Sequence, residues 1–209
     1  MLRRSILLAC AFCLSSAALC LAQDLWKQQA DRLASLLQWR HGSVVAEIGA
    51  GNGELTLQAA HRVGPSGKVY TTELGEDQFS RLQELAAKEK NLIAVKAAIA
   101  ETNLSPACCD SIFMRLVYHH LTRPAEIDAS LFRSLKPGGR LAVIDQEPAP
   151  GSSVPEGVPA NRGGHGIPQE ILKCELITAG FVLETVQNDW PGRTDSRKLY
   201  CIVFRKPAP

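Results

Sequence analysis

Three glycines alternate in the segment Val44-Val45-Ala46-Glu47-Ile48-Gly49-Ala50-Gly51-Asn52-Gly53-Glu54, between an apolar run and a charged one. Glycines in such a turn let the backbone approach a ligand closely. The spacing G-x-G-x-G is not the G-x-G-x-x-G of dinucleotide sites, because Glu54 holds the place of the third glycine. A pyrophosphate resting on the following helix N-terminus would meet that carboxylate, and like charges repel. Glu47 places a second acid at the same crevice, with a structural role capping loop amides as its alternative. Two acids without a phosphate grip suit a guest with a cationic end. Glu73 follows the turn by about 20 residues, the interval of a ribose-binding acid in doubly wound sheets.

Further along, Arg115 is followed by Leu116-Val117-Tyr118-His119-His120, and Asp145 by Gln146 and Glu147. Arg162 and His165 stand in the glycine-rich Asn161-Arg162-Gly163-Gly164-His165-Gly166. Histidine titrates near neutral pH, so Tyr118, His119, Glu147 and His165 are candidate acceptor contacts or bases. A packing role at a helix start is the alternative for His119 and His120. Outside the first 22 residues the thiols are Cys108, Cys109, Cys174 and Cys201. Their spacing matches no zinc template, so no metal site is expected. Free cysteines pack as small hydrophobes.

Strict strand–helix alternation positions these groups. The patterns predict a helix over 24–39 and strands at 44–48, 68–73, 92–97, 111–115 and 140–145. They predict further helices at 54–63, 77–90 and 124–135, the last stopped by Lys136-Pro137-Gly138-Gly139. Such alternation implies a parallel sheet with helices on both faces. A Pro- and Gly-rich loop over 147–166 follows, long enough to act as a lid or binding loop. After a helix at 168–179, strands at 181–187 and 199–204 are joined by a polar stretch, 188–198, and should pair as an antiparallel hairpin.

The segment Ala46–Gly53 resembles the first motif of class I S-adenosylmethionine-dependent methyltransferases. Cys109-Asp110-Ser111-Ile112-Phe113-Met114 resembles the family's entry into strand four, and Leu135-Lys136-Pro137-Gly138-Gly139-Arg140-Leu141 its turn before strand five. The resemblance covers roughly residues 25–205. It implies an α/β three-layer sandwich with a seven-stranded, mostly parallel sheet and an antiparallel C-terminal hairpin. It implies S-adenosyl-L-methionine held by Glu47, Gly49, Ala50, Gly51, Gly53, Glu73, Ile99, Ala100 and Arg115. Ala98 stands where the family often has an aspartate near the adenine, so backbone groups around Ile99 and Ala100, or Glu101, would serve. The activity implied is in-line methyl transfer to a small-molecule acceptor. The alternatives are a non-catalytic cofactor-binding protein of the same fold and an NAD(P)-dependent oxidoreductase. Arsenite methyltransferases share the fold and hold the metalloid through cysteines, but the thiol spacing here carries no such site.

The chain has 209 residues, 45% of them hydrophobic, which suits one domain plus a short extension. Residues 1–22 hold Arg3 and Arg4, no acid, and an apolar or small run from Ile6 to Leu21 ending at Ala22. They read as a cleaved signal peptide, which exports the domain 23–209, or as an uncleaved anchor over 5–22. Without those two arginines the 21 remaining basic residues balance 21 acids. That balance disfavours nucleic-acid binding. Contact with a membrane is expected only through the leader, and the sequence is silent on oligomeric state.

Overall fold

The computed structural model describes residues 24–194 and 197–208. The leader expected over 1–22 lies outside them. Among the described residues no helix is long and apolar enough to cross a membrane.

Helix α1 (24–37) precedes β1 (Val44–Ile48), α2 (Glu54–Val63), β2 (Lys68–Glu73), α3 (Glu76–Ala86) and β3 (Leu92–Lys96). Then come β4 (Cys109–Arg115), α4 (Pro124–Ser134), β5 (Leu135–Gln146), α5 (Gln169–Thr178), β6 (Val182–Thr194) and β7 (Arg197–Arg205). The sheet order is β3-β2-β1-β4-β5-β7-β6. β1 pairs in parallel with both β2 and β4, and β5 pairs in parallel with β4. β7 runs antiparallel between β5 and β6. This is the expected three-layer α/β sandwich.

The strands are apolar on both faces because each face is covered by helices. Successive side chains alternate between the two layers. Ile112, Met114, Leu141 and Val143 join Ile127 and Leu131 of α4 and Leu172 and Leu176 of α5. Their neighbours Phe113, Ala142 and Ile144 face the other way, onto Leu33 and Leu37 of α1 and Leu55 and Ala59 of α2.

Three local expectations are corrected. Lys136-Pro137-Gly138-Gly139 does end α4, but it belongs to β5, which begins at Leu135 opposite Cys109. The irregularity is a register shift between Cys109 and Ser111. Helix α3 ends at Ala86, short of Lys90, because the chain turns there and Asn91 bonds back to the carbonyls of Ala60 and Gly64. The stretch 188–198, expected as a connection, is largely strand. Trp190 is the reason: it is 3% exposed, packs on α1 and donates its indole N–H to Gln29 Oε1 at 3.1 Å. Arg32 of α1 lies over the same ring, 5.0 Å from its centroid.

Trp190 therefore fastens the hairpin to α1. Trp190→Ala is expected to lower unfolding stability by about 3–5 kcal/mol. Urea denaturation reads this as a lower midpoint at unchanged slope, and a loss under about 1 kcal/mol would contradict the anchoring role.

Candidate cofactor and acceptor site

The strand order reverses between β1 and β4, where β1 leads outward to β2 and β4 leads the other way to β5. Ligands of doubly wound sheets lie at such a switch point, outside the carboxyl ends of the strands. The glycine turn leaves β1 here. Gly49 has φ 68°, and a Cβ on it would strike Val117 at 2.5 Å, so the backbone passes directly under the β4 turn. Gly53 has φ 83° and its added Cβ would meet Leu85 at 2.6 Å. That third glycine serves the packing of α2 on α3. Gly51 differs: no atom lies within 4 Å of its notional Cβ, so this stretch of backbone is open to a ligand.

Glu73, at the end of β2, ties the turn down. Its Oε1 accepts the Gly51 N–H at 2.8 Å and its Oε2 accepts the Leu74 N–H at 3.0 Å. Each carboxylate oxygen keeps a lone pair, which suits a vicinal diol. Glu73 lines a cavity of about 340 Å³ with Ile48, Gly49, Leu74, Ala97, Ala98 and Ile99. Glu101, Val117, His120 and Leu121 are among the other residues of that wall. Ala100 is absent from the lining, whereas Ala98 and Glu101 belong to it. Glu101 is already paired with Arg133 at 2.6 Å, so the wall facing an adenine is mostly apolar.

On the other side of the turn a second cavity, about 290 Å³, is lined by Trp26, Glu47, Ala50, Gly51, Asn52, Glu54 and Arg115. Glu47 is 3% exposed and accepts a very short hydrogen bond from Thr56 Oγ1. Burial pushes its carboxyl from 4.5 up to about 8, against the Thr56 hydrogen bond and the attraction of Arg115. Arg115 lies 4.8 Å from the Trp26 ring centroid and donates Nε–H to Gln29 at 2.9 Å. Burial draws its guanidinium below its ordinary value, opposed by Glu47 and Glu54. The crevice is thus not uniformly acidic. It sets one cation beside two acids, a complement for an amino-acid zwitterion.

The chain then turns over the tip of β4. Leu116 sits in the left-handed region, φ 57°, held by its N–H bond to the Ile144 carbonyl at 2.8 Å. Such a residue is strained and persists only when its surroundings enforce it. The turn leads into a single 3-10 turn, Tyr118–His120. His119 is buried, with Nδ1 2.7 Å from Asp145 Oδ1 and Nε2 3.1 Å from Nδ1 of His165. Asp145 also accepts the backbone N–H groups of His119 and Gln146, at 3.2 and 2.9 Å. A carboxylate so placed is an acceptor, so His119 Nδ1 carries a proton toward it, and Nε2 is directed at His165. The His120 ring lies 4.1 Å from His119 and 4.9 Å from His165 between centroids.

The loop over 147–166 is held in several places. Arg162 is wholly buried and pairs with Glu175 of α5 at 2.6 Å. The His165 N–H bonds Ser152 Oγ at 2.9 Å, and its carbonyl accepts from Arg197. The expected candidates therefore separate. His119 and His165 meet each other, His119 buried and His165 exposed, while His120 is the histidine that lines the first cavity. Tyr118 is 0% exposed, and its hydroxyl lies 2.9 Å from Asp128 and 3.0 Å from Glu175, in the core between α4 and α5. Glu147 is exposed and accepts the Gln169 N–H at 3.4 Å, at the start of α5. Asp145, the partner that orients His119, was visible in sequence only as a strand end. Trp26 had no signal beyond being aromatic on a helix. The thiols do not converge on the site: Cys108 and Cys109 stand at the opposite end of β4 and Cys174 is exposed on α5.

A family model described as a methyltransferase domain matches residues 46–143. The ubiquinone/menaquinone biosynthesis C-methyltransferase of Pseudomonas fluorescens is 30% identical over 125 residues, 58% of this chain and 47% of that protein. The chain thus spans about half the length of the curated relatives it matches. A solved S-adenosylmethionine-dependent methyltransferase from Aquifex aeolicus superposes with TM-score 0.70 at 22% identity, covering 87% of this chain and 92% of that one. Phosphoethanolamine N-methyltransferase 2 of Haemonchus contortus, solved with S-adenosyl-L-methionine, gives 0.68 at 18% identity, covering 87% and 53%. The matched segment runs from the end of β1 through the glycine turn, Glu73 and the β4 tip to β5, the elements that build the crevice. Residues 46–143 therefore match a methyltransferase domain, on a fold shared with solved S-adenosylmethionine-dependent methyltransferases.

Proposed function

We propose that the protein transfers a methyl group from S-adenosylmethionine to a small-molecule acceptor. The observation that carries this reading is the pair of cavities flanking the open Gly51 backbone. One offers Glu73 and an apolar wall, the other Arg115 beside Glu47 and Glu54. A nucleoside fits the first, with Glu73 receiving the ribose hydroxyls. An amino-acid end fits the second, with Arg115 for the carboxylate and Glu47 for the ammonium. The cofactor supplies a methyl group already activated by the sulfonium, so the protein's part is to align the two reactants and exclude water. The Asp145–His119 pair, with His165 beyond it, stands behind His120, which lines the nucleoside cavity. The oxidoreductase alternative meets Glu54 in the cavity lining at the start of α2, where a pyrophosphate would have to sit.

We further propose that residues 1–22 carry the domain to or across a membrane. Amino-terminal sequencing of the mature protein after cell fractionation tests this. A chain that keeps its first residues in the soluble cytosolic fraction would refute it.

Calorimetry on the purified protein is expected to show S-adenosylmethionine and its demethylated product binding one per chain, with no binding of NAD. The reverse pattern would overturn the reading. Glu73→Ala removes a charge-assisted acceptor of the kind that contributes about 1.5–3 kcal/mol, so the affinity should fall by roughly 10- to 100-fold.

Glu47 supplies a second, pH-dependent test. Its folded carboxyl titrates near 8 instead of 4.5, so the folded state holds a proton that the unfolded state has released. The stability this provides is complete below about 4.5 and is lost as pH rises through about 8. Asp128, raised by burial to about 7, acts in the same direction but is exhausted earlier. Glu47→Gln should therefore match the parent at pH 5 and exceed it in melting temperature at pH 9, while binding S-adenosylmethionine more weakly. Parallel melting profiles for parent and variant would contradict the burial of this acid.

A further inference from the structure

We propose that His119, His120 and His165 form a binding site for a divalent transition metal of the zinc class, at the rim of the cofactor cavity. Three of the chain's five histidines converge here, and one ring nitrogen from each lies within 4.8 Å of the others. His119 Nε2 and His165 Nδ1 are 3.1 Å apart. Two imidazole nitrogens on a tetrahedral zinc, at about 2.0–2.1 Å from the metal, stand roughly 3.3 Å apart. One edge of the coordination polyhedron is thus nearly in place, and the third nitrogen lies within 4.8 Å of both.

The surroundings have the pattern of a metal site. A metal-ligating histidine commonly gives its other ring N–H to a carboxylate, which fixes the tautomer and raises the ligand's basicity. His119 does this with Asp145 at 2.7 Å, and Asp145 is itself held by two backbone N–H groups. His119 is 1% exposed while His120 and His165 are exposed, so the cluster has a rigid floor and an open side. The backbone is prepared on both flanks. Leu116 is strained before the Tyr118–His120 turn, and Gly166 has φ 147° with its notional Cβ only 2.7 Å from the Glu147 carbonyl. His165 is steadied through Ser152 and Arg197. All ligands are imidazoles, which suit zinc, copper, nickel or iron better than magnesium or calcium.

Three histidine ligands leave one position vacant, the arrangement of catalytic rather than structural zinc sites. His120 also lines the cavity that holds Glu73 and Gly49. The cluster therefore borders the cofactor cleft, and its vacant position would serve water or a methyl acceptor. The existence of the site rests on the cluster alone, and only its service to the acceptor rests on the methyltransferase reading.

The test is equilibrium dialysis of chelator-treated, full-length protein against Zn²⁺, with bound metal measured by mass spectrometry and folding checked by circular dichroism. One zinc per chain is expected. Asp145→Asn should weaken binding by about 10- to 100-fold. The His120→Ala/His165→Ala double variant, altered only at exposed ligands, should lose stoichiometric binding. Co²⁺ in place of zinc should give the intense visible bands of a tetrahedral site in the parent and not in the double variant. Folded parent that takes up less than one equivalent, or a double variant with parental affinity, would overturn the metal site. Calorimetry with S-adenosylmethionine on the same samples separates the two readings. Cofactor binding without metal uptake sinks this inference alone, and metal uptake without cofactor binding sinks only the methyltransferase reading.

Discussion

Everything at the site depends on the bond between the Glu73 carboxylate and the Gly51 amide. A doubly wound sheet reverses its strand order once, between β1 and β4, and the crevice left there cannot be covered by either neighbouring connection. The backbone crossing it must expose amides, and an unpaired polar group near a buried surface is costly. Glu73 satisfies the Gly51 and Leu74 amides from the next strand and keeps lone pairs for a guest. One side chain thereby shapes the empty turn and equips it to recognise a diol.

The second principle is how little bulk water reaches the charges. Glu47 is buried against Thr56, which in turn meets Thr71, so an isolated carboxylate there is disfavoured until a cation arrives. Arg115 is held over Trp26 and bonded to Gln29, with its charge directed at Glu47 and Glu54. The Tyr118–Asp128–Glu175–Arg162 network does the equivalent for the loop over 147–166. A fully buried arginine needs its acid partner, and that pairing fixes the loop to α5. A segment expected as a lid or binding loop is thus tied down near its end, and the histidine it carries is delivered beside His119.

Much of this architecture was legible in the chain. The apolar runs at β1, β2 and β4 fall between helical patterns of period near 3.6, and Gly49, Gly51 and Glu73 declare themselves by type and interval. Those signals are local, because strand and helix periodicity and turn chemistry act over a few residues. The same reasoning failed at 188–198, where a polar stretch hides the one tryptophan that packs on α1, and at Lys136–Gly139, where a helix stop also begins a strand. In both places a contact more than 60 residues away in sequence, Trp190 with Gln29 and the Gly138 and Gly139 backbone with Lys206, decides the backbone path.

The sequence by itself determined the doubly wound topology, the ligand-facing turn and the acid that serves it. It also supplied histidines at 119, 120 and 165 without saying that they meet. Tertiary structure alone decided that Tyr118 meets Asp128 and Glu175 while the adjacent His119 meets Asp145 and His165. It decided that Asp145 orients His119 and that a loop 46 residues downstream brings His165 to 3.1 Å. The physical reason is range: hydrogen bonds and ligand geometry are fixed to a few tenths of an ångström, and only the packing of distant elements sets distances that fine.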